Sequence, residues 1–134
     1  MTLPPALAAA LAAAVSRATG TPFRLVRAAP VGGGCIHQAL ALEGPDDARY
    51  FAKLNDPPFA PTFAAEVDGL VALAAAGMRV PRPVAQGEAA GRAFLVLEHL
   101  ALGAGTAAAH RELGRRLARQ HAQRGPHFGC ARVN

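Results

Sequence analysis

Apolar and polar positions change period several times along the chain, and each change marks an element. Residues 3–18 are a run of Ala and Leu that predicts a helix, with Thr2 as its cap, Pro4 and Pro5 in its first turn and Gly20 at its end. Phe23-Arg24-Leu25-Val26 predicts a short strand between Pro22 and Pro30. After Gly32-Gly33-Gly34, the stretch Cys35 to Leu42 ends in strand-like alternation, and Gly44-Pro45-Asp46-Asp47 turns the chain into a third strand, Arg49 to Leu54. Three prolines make a loop of residues 55–61, Thr62 opens a helix to about Ala76, and Gly77 stops it. Val84-Ala85-Gln86, a turn over residues 88–91 and the apolar run Ala93 to Leu97 predict two further strands. Beyond the break at Gly103–Gly105, Thr106 caps a last helix to about Gln123. The order is helix, three strands, helix, two strands, helix. The predicted class is α+β, with one helix laid on a five-stranded antiparallel sheet.

Three features carry candidate chemistry. Lys53 is the single lysine among 14 cations, and it stands in mid-strand on the same face as Phe51. A compact ammonium reaches a phosphate oxygen at close quarters in a way that a broad guanidinium fork does not. On the helix that follows, Val67, Leu70, Val71 and Leu73 share an apolar arc at about 100° per residue. Glu66 falls inside that arc and Asp68 outside it. A carboxylate on a buried stripe is costly unless a cation meets it, and Lys53 is the cation at hand. Finally, Gly32-Gly33-Gly34 offers bare backbone to a ligand, although it is neither a Walker loop nor a clean G-x-G-x-x-G. Each feature has a plain structural reading: a solvated strand lysine, a glutamate at a rim, a hairpin turn.

Taken in order, a glycine loop, a strand lysine, a helix glutamate and a buried strand ending in Glu98-His99-Leu100 resemble a protein-kinase-like amino-terminal lobe. There the loop covers ATP phosphates, the lysine contacts them, the glutamate holds the lysine and the linker backbone pairs with adenine. More specifically, Gly32 to Ile36, Tyr50 to Asn55, Phe63 to Leu70, Val80 to Pro83, Ala93 to Glu98 and Gly125 to Gly129 resemble the fructosamine kinase (ketosamine-3-kinase) family. That resemblance implies a kinase-like lobe over residues 1–100, and a hinge with the start of a truncated second lobe over 101–134. It implies a phosphotransferase that uses ATP and a divalent metal, Mg2+, on ketoamine small molecules or glycated proteins. Gly32, Gly33, Gly34, Cys35, Lys53, Glu66, Glu98, His99 and Leu100 would be its nucleotide-binding residues.

Two departures from the family pattern stand out. His37 occupies a position that is commonly Asn or Ser. The second concerns the catalytic loop, His-Gly-Asp, which does not occur in these 134 residues. The resemblance therefore places the catalytic Asp, and the metal-binding Asp-Pro, beyond Asn134. No catalytic residue or metal ligand is assigned, and the chain by itself is expected to be inactive. Two alternatives stay open: a non-catalytic lobe that binds a nucleotide or a partner, and a kinase of the aminoglycoside, choline or homoserine type.

Composition narrows the remaining classes. The net charge is +5, from 14 cations against 9 anions. Thirteen of those cations are scattered Arg in a chain with 33 Ala, a bias of composition rather than a binding patch. With one Tyr and no Trp, the stacking platforms of a nucleic-acid binder are lacking. No stretch approaches the roughly 20 apolar residues of a membrane span, and no cation precedes the Ala6–Val15 run as a signal segment requires, so a cytoplasmic protein is expected. Cys35 and Cys130 cannot build a disulfide framework, and Cys35 beside a bound anion and Lys53 is a candidate redox-sensitive thiol. His110 and His121 lie about 16 Å apart along the last helix, too far to share one ion. The face bearing Leu113, Leu117 and His121 is a candidate surface for self-association.

Overall fold

The computed structural model describes residues 2–32, 36–127 and 129. Helix α1 (Pro5–Thr19) is followed by strands β1 (Arg27–Pro30), β2 (Gln38–Glu43) and β3 (Arg49–Asn55). A 3-10 turn at Pro57–Phe59 leads into α2 (Ala60–Ala75), then β4 (Pro83–Ala89), β5 (Arg92–Glu98) and α3 (Ala107–Ala122). The five strands form one antiparallel sheet in the order β1-β2-β3-β5-β4. The α+β class and the element order follow the pattern of the sequence.

Period-two alternation splits the sheet into two faces with separate cores. On one face Leu40, Leu42, Ala52, Leu54, Phe94 and Val96 pack with Leu3, Leu7, Leu11, Ala14 and Val15 of the amino-terminal segment and α1. On the other, Ala93, Leu95 and Leu97 pack with Phe63 of α2, and Phe51, Val67 and Leu70 close the cluster. The packed helix expected from the sequence is α2, and the structure adds α1 on the opposite face. Because α2 lies mainly over β4 and β5, it leaves the same face of β2 and β3 open. That uncovered half-face is where the site forms.

Several local expectations shift. The first strand is not Phe23–Val26 but Arg27–Pro30. Its partner β2 ends at Glu43, so pairing begins only where the Val26 N–H donates to the Glu43 carbonyl at 2.8 Å. The preceding residues are tied to α1 instead: the Phe23 N–H donates to Ser16 Oγ at 2.8 Å, and the Phe23 ring meets Tyr50 edge-on with centroids 5.1 Å apart. Helix α1 begins at Pro5 with Pro4 as its N-cap and no side-chain cap, so Thr2 does not serve. Helix α2 begins two residues before Thr62, because the 3-10 turn hands its geometry on and Pro61 is tolerated in a first turn. Val71 is 56% exposed rather than part of the buried arc. The stop at Gly77, with φ +85°, and the Thr106 cap, whose hydroxyl accepts the Ala109 N–H at 3.1 Å, are as expected. Among the described residues, no helix is long and apolar enough to cross a membrane.

Candidate functional site

Lys53 sits at the centre of β3, opposite Ala39 of β2 and Leu95 of β5. Alternation aims it, with Phe51, at the face that α2 half covers. From the second turn of α2, Glu66 meets it: Lys53 Nζ donates to Glu66 Oε1 at 2.7 Å, and each side chain is 26% exposed. At that exposure neither group bears the full cost of burial, and the pair adds little to folding. What it does is hold an ammonium at a defined point on the wall of a cleft.

That cleft has a volume of about 930 Å3. Val31, Gly32 and Ile36 form one rim, from the turn between β1 and β2. Lys53 and Glu66 stand on the wall, and Leu97, Glu98, His99 and Leu100 run along the opposite edge, where the chain leaves β5. Gly32, Lys53, Glu66, Glu98, His99 and Leu100 are thereby brought together from distant parts of the chain. Gly33, Gly34, Cys35 and Cys130 lie outside the described residues. So does Asn134, and with it the boundary beyond which the catalytic Asp and the metal ligands were expected. Ala39, Phe51 and Leu97 add apolar surface to the lining, beside the charged Lys53–Glu66 pair. A flat apolar group with an anionic tail is the ligand shape that such a cleft accommodates.

Glu98 is placed differently from a free ligand-binding carboxylate. Arg79 grips it with two guanidinium bonds of 3.0 and 2.8 Å, and the Arg82 N–H donates to it at 3.1 Å. The Arg79 hydrogen bonds, then the Arg82 amide, hold its carboxyl down at about 2. The side chain therefore pins the end of β5 to the segment before β4, and what Glu98 offers the cleft is its main chain.

Sequence reasoning missed this clamp, since nothing local links Arg79 to a residue nineteen positions on. It also missed Asn55. Asn55 lies two residues after Lys53, so alternation puts it on the same face, and that signal was available. Its Nδ2 donates to the Ile36 carbonyl at 3.1 Å and lies 2.8 Å from His37 Nδ1. These contacts tie residues 36 and 37 to the end of β3 through a side chain, and the backbone ladder of β2 begins at Gln38. Arg49, Ala101 and Leu102 also line the cleft, and sequence alone did not single them out.

Among the described residues, no group of three or more His, Cys, Asp and Glu is placed to hold a metal ion. Those described residues supply no ligand set that fits the divalent cation implied by the family resemblance.

Comparison with known proteins gives a consistent set of relatives. The fructosamine kinase family model matches residues 7–134. A probable ketoamine kinase of Synechocystis sp. is 41% identical over 112 residues, which cover 83% of this chain and 38% of that protein. A probable ketoamine kinase of Staphylococcus aureus is 35% identical over 94 residues, covering 70% of this chain and 32% of the relative. The chain thus spans well under half the length of the relatives it matches. Among solved structures, a protein described as a fructosamine-3-kinase from Haemophilus somnus superposes with a TM-score of 0.80 at 21% identity, over 87% of this chain and 39% of that one. A second, from Thermobifida fusca, gives 0.69 at 24% identity, over 90% and 41%. At these identities the structural matches establish the fold.

Proposed function

The chain belongs to the fructosamine kinase family, and from that premise we propose that it supplies the nucleotide-holding half of an ATP-dependent ketoamine kinase. In this reading Lys53 Nζ binds phosphate oxygens of ATP, and Glu66 fixes the direction of Lys53. Gly32 to Cys35 lie over the phosphates, and the main chain of Glu98 to Leu100 pairs with adenine beside the apolar lining. The phosphoryl acceptor is a hydroxyl of a ketoamine, free or on a glycated protein. The observation that carries the proposal is the 2.7 Å pair between the lone lysine and Glu66 in a cleft lined largely by apolar residues. An ammonium held in that way is a point charge ready for a phosphate.

The work divides by chemistry. Phosphoryl transfer needs positioning, charge neutralisation and a base for the acceptor hydroxyl. The cleft supplies the first and part of the second. No His-Gly-Asp occurs in these residues, so nucleotide binding is expected of this chain, and transfer is not.

The test is calorimetric titration of the chain with ATP, beside Lys53→Met. Saturable binding that is lost in the variant supports the assignment. Binding that Lys53→Met leaves unchanged overturns it. Incubation with ATP and a fructosyl-lysine peptide, followed by ADP release, asks the second question, and no release above the no-protein control is expected from this chain.

A further inference from the structure

We infer that Arg79 is a positioning residue of the cleft: by holding the Glu98 carboxylate, it leaves the Glu98 main-chain carbonyl free to accept a hydrogen bond from a ligand. In an antiparallel ladder, facing residues alternate between pairs that exchange two N–H···O bonds and pairs that exchange none. Pro83 faces Leu97, so Arg82 faces Glu98. The Glu98 N–H donates to the Arg82 carbonyl at 2.8 Å, which makes these two a bonded pair. The second bond of that pair would run from the Arg82 N–H to the Glu98 carbonyl. Instead the Arg82 N–H donates to Glu98 Oε2 at 3.1 Å. The side chain has taken the donor that the ladder would give the main chain. Pro81 and Pro83 carry no N–H, so neither neighbour of Arg82 supplies a substitute.

The exchange holds only while the carboxylate is kept in place, and Arg79 keeps it there. Helix α2 closes with the Met78 N–H donating to the Leu73 carbonyl at 3.0 Å, around Gly77 at φ +85°, and Arg79 follows directly. Its guanidinium donates to both Glu98 carboxylate oxygens, at 3.0 and 2.8 Å, and to the Val80 carbonyl at 3.0 Å. The Arg79 side chain is 59% exposed and that of Glu98 31%, so water screens the attraction and the pair adds little to folding. What the fork adds is direction, since two parallel bonds orient a carboxylate plane where one would let it turn. Glu98 ends β5, and from there Glu98, His99 and Leu100 line the cleft, together with Pro81. The freed carbonyl therefore belongs to a residue of the cleft edge.

Which ligand uses the carbonyl rests on the nucleotide reading above: the exocyclic amine of adenine is a donor that suits it. The exchange of acceptors does not rest on that reading, so the experiment has two arms. In the first, NMR couplings across hydrogen bonds, recorded on the chain without ligand, identify the acceptor of the Arg82 N–H. The expected coupling is to the Glu98 side-chain carboxyl carbon, and in Arg79→Met it passes to the Glu98 main-chain carbonyl. A coupling to the main-chain carbonyl in wild type, or one to the carboxylate that persists in Arg79→Met, overturns the inference.

In the second arm, calorimetry compares ATP with purine riboside triphosphate, which lacks the exocyclic amine. Wild type is expected to prefer ATP by about three- to tenfold, the scale of one neutral hydrogen bond. Arg79→Met should lose that preference by binding ATP more weakly, with its affinity for the purine analogue within about twofold of wild type. Arg79→Lys keeps the charge without the fork and should keep part of the preference. A loosened fold would weaken both ligands together, and that result, like a preference that survives in Arg79→Met, overturns the inference. Lys53→Met separates the two readings. If it weakens both nucleotides while wild type binds them equally, the nucleotide reading stands and the inference falls. If wild type binds neither saturably, the nucleotide reading falls, and the use of the carbonyl falls with it.

Discussion

Removing Glu66 from Lys53 tests whether the pair exists for the fold or for a ligand, and the two purposes differ in magnitude. Two unit charges at the observed 2.7 Å attract with about 6 kcal/mol at an effective dielectric of 20, and about 1.5 kcal/mol in bulk water. Each side chain is 26% exposed, so partial desolvation offsets most of that, leaving about 1 kcal/mol or less of net stability. Glu66→Gln keeps shape and volume and leaves the lysine half solvated. Its melting temperature should fall by no more than a few degrees.

Nucleotide binding should respond more strongly. A charge-assisted bond from Lys53 to a phosphate contributes about 1.5–3 kcal/mol, so Lys53→Met should weaken ATP binding by roughly 10- to 100-fold. Glu66 acts by holding that lysine. Freeing its rotamers costs up to about 2 kcal/mol on binding, so Glu66→Gln should weaken ATP by roughly 5- to 30-fold. The diagnostic is non-additivity in a double-mutant cycle measured by calorimetry. Once Lys53 is Met, Glu66 has nothing to orient, and its charge only repels phosphate. Lys53→Met/Glu66→Gln should then bind no more weakly than Lys53→Met. Additive losses would refute the reasoning, since Glu66 would be acting on the nucleotide by another route. So would a Glu66→Gln variant that melts far lower yet binds as wild type.

Other consequences follow from particular residues. Ala90 heads the two-residue β4–β5 hairpin with φ +50°, before Gly91 at +73°, where a type I′ turn favours Asn-Gly; Ala90→Asn should stabilise by about 0.5–1 kcal/mol in urea denaturation. A Cβ on Gly44 would overlap the Phe23 ring and stand 3.1 Å from the Arg24 carbonyl, so Gly44→Ala should cost about 1–3 kcal/mol in the same assay. The Glu98 carboxyl is held at about 2 against an ordinary 4.5, so the stability it contributes is present above pH 4.5 and drains away as pH falls towards 2; urea midpoints measured across that window should slope less in Glu98→Gln. Leu113 is 49% exposed on α3, which buries no residue. Self-association through it would give a concentration-dependent sedimentation coefficient that Leu113→Glu abolishes, and a monomer at every concentration would refute it.

What could be read from the chain in advance follows the range of the interaction that decides each feature. Lys53 and Glu66 were legible because each broke a local rule: a lone lysine in a strand, a carboxylate inside an apolar arc. Two violations that cancel each other point to a contact, and alternation with the helical period was enough to aim both at one face. The glycine stop after α2 and the Thr106 cap were legible for the same reason, since backbone chemistry within four residues decides them. The first strand was misplaced because its position depends on where β2 ends: Phe23–Val26 has strand composition, yet no partner lies opposite it before Val26 meets Glu43. Propensity says what a segment tolerates, and only the ladder says where pairing starts.

The residues that went unseen share one property, which also bears on function. Arg79 reaches Glu98 across nineteen positions and Asn55 reaches Ile36 across nineteen, and neither breaks a local rule on its own. Both act at the rims of the cleft rather than at its centre: Arg79 fixes the strand end where the adenine edge is proposed, and Asn55 fixes the exit of the turn proposed for the phosphates. A charged pair at the centre announces itself locally, because each member breaks a rule of its own element. The rims need only be held, and many long-range contacts can hold them.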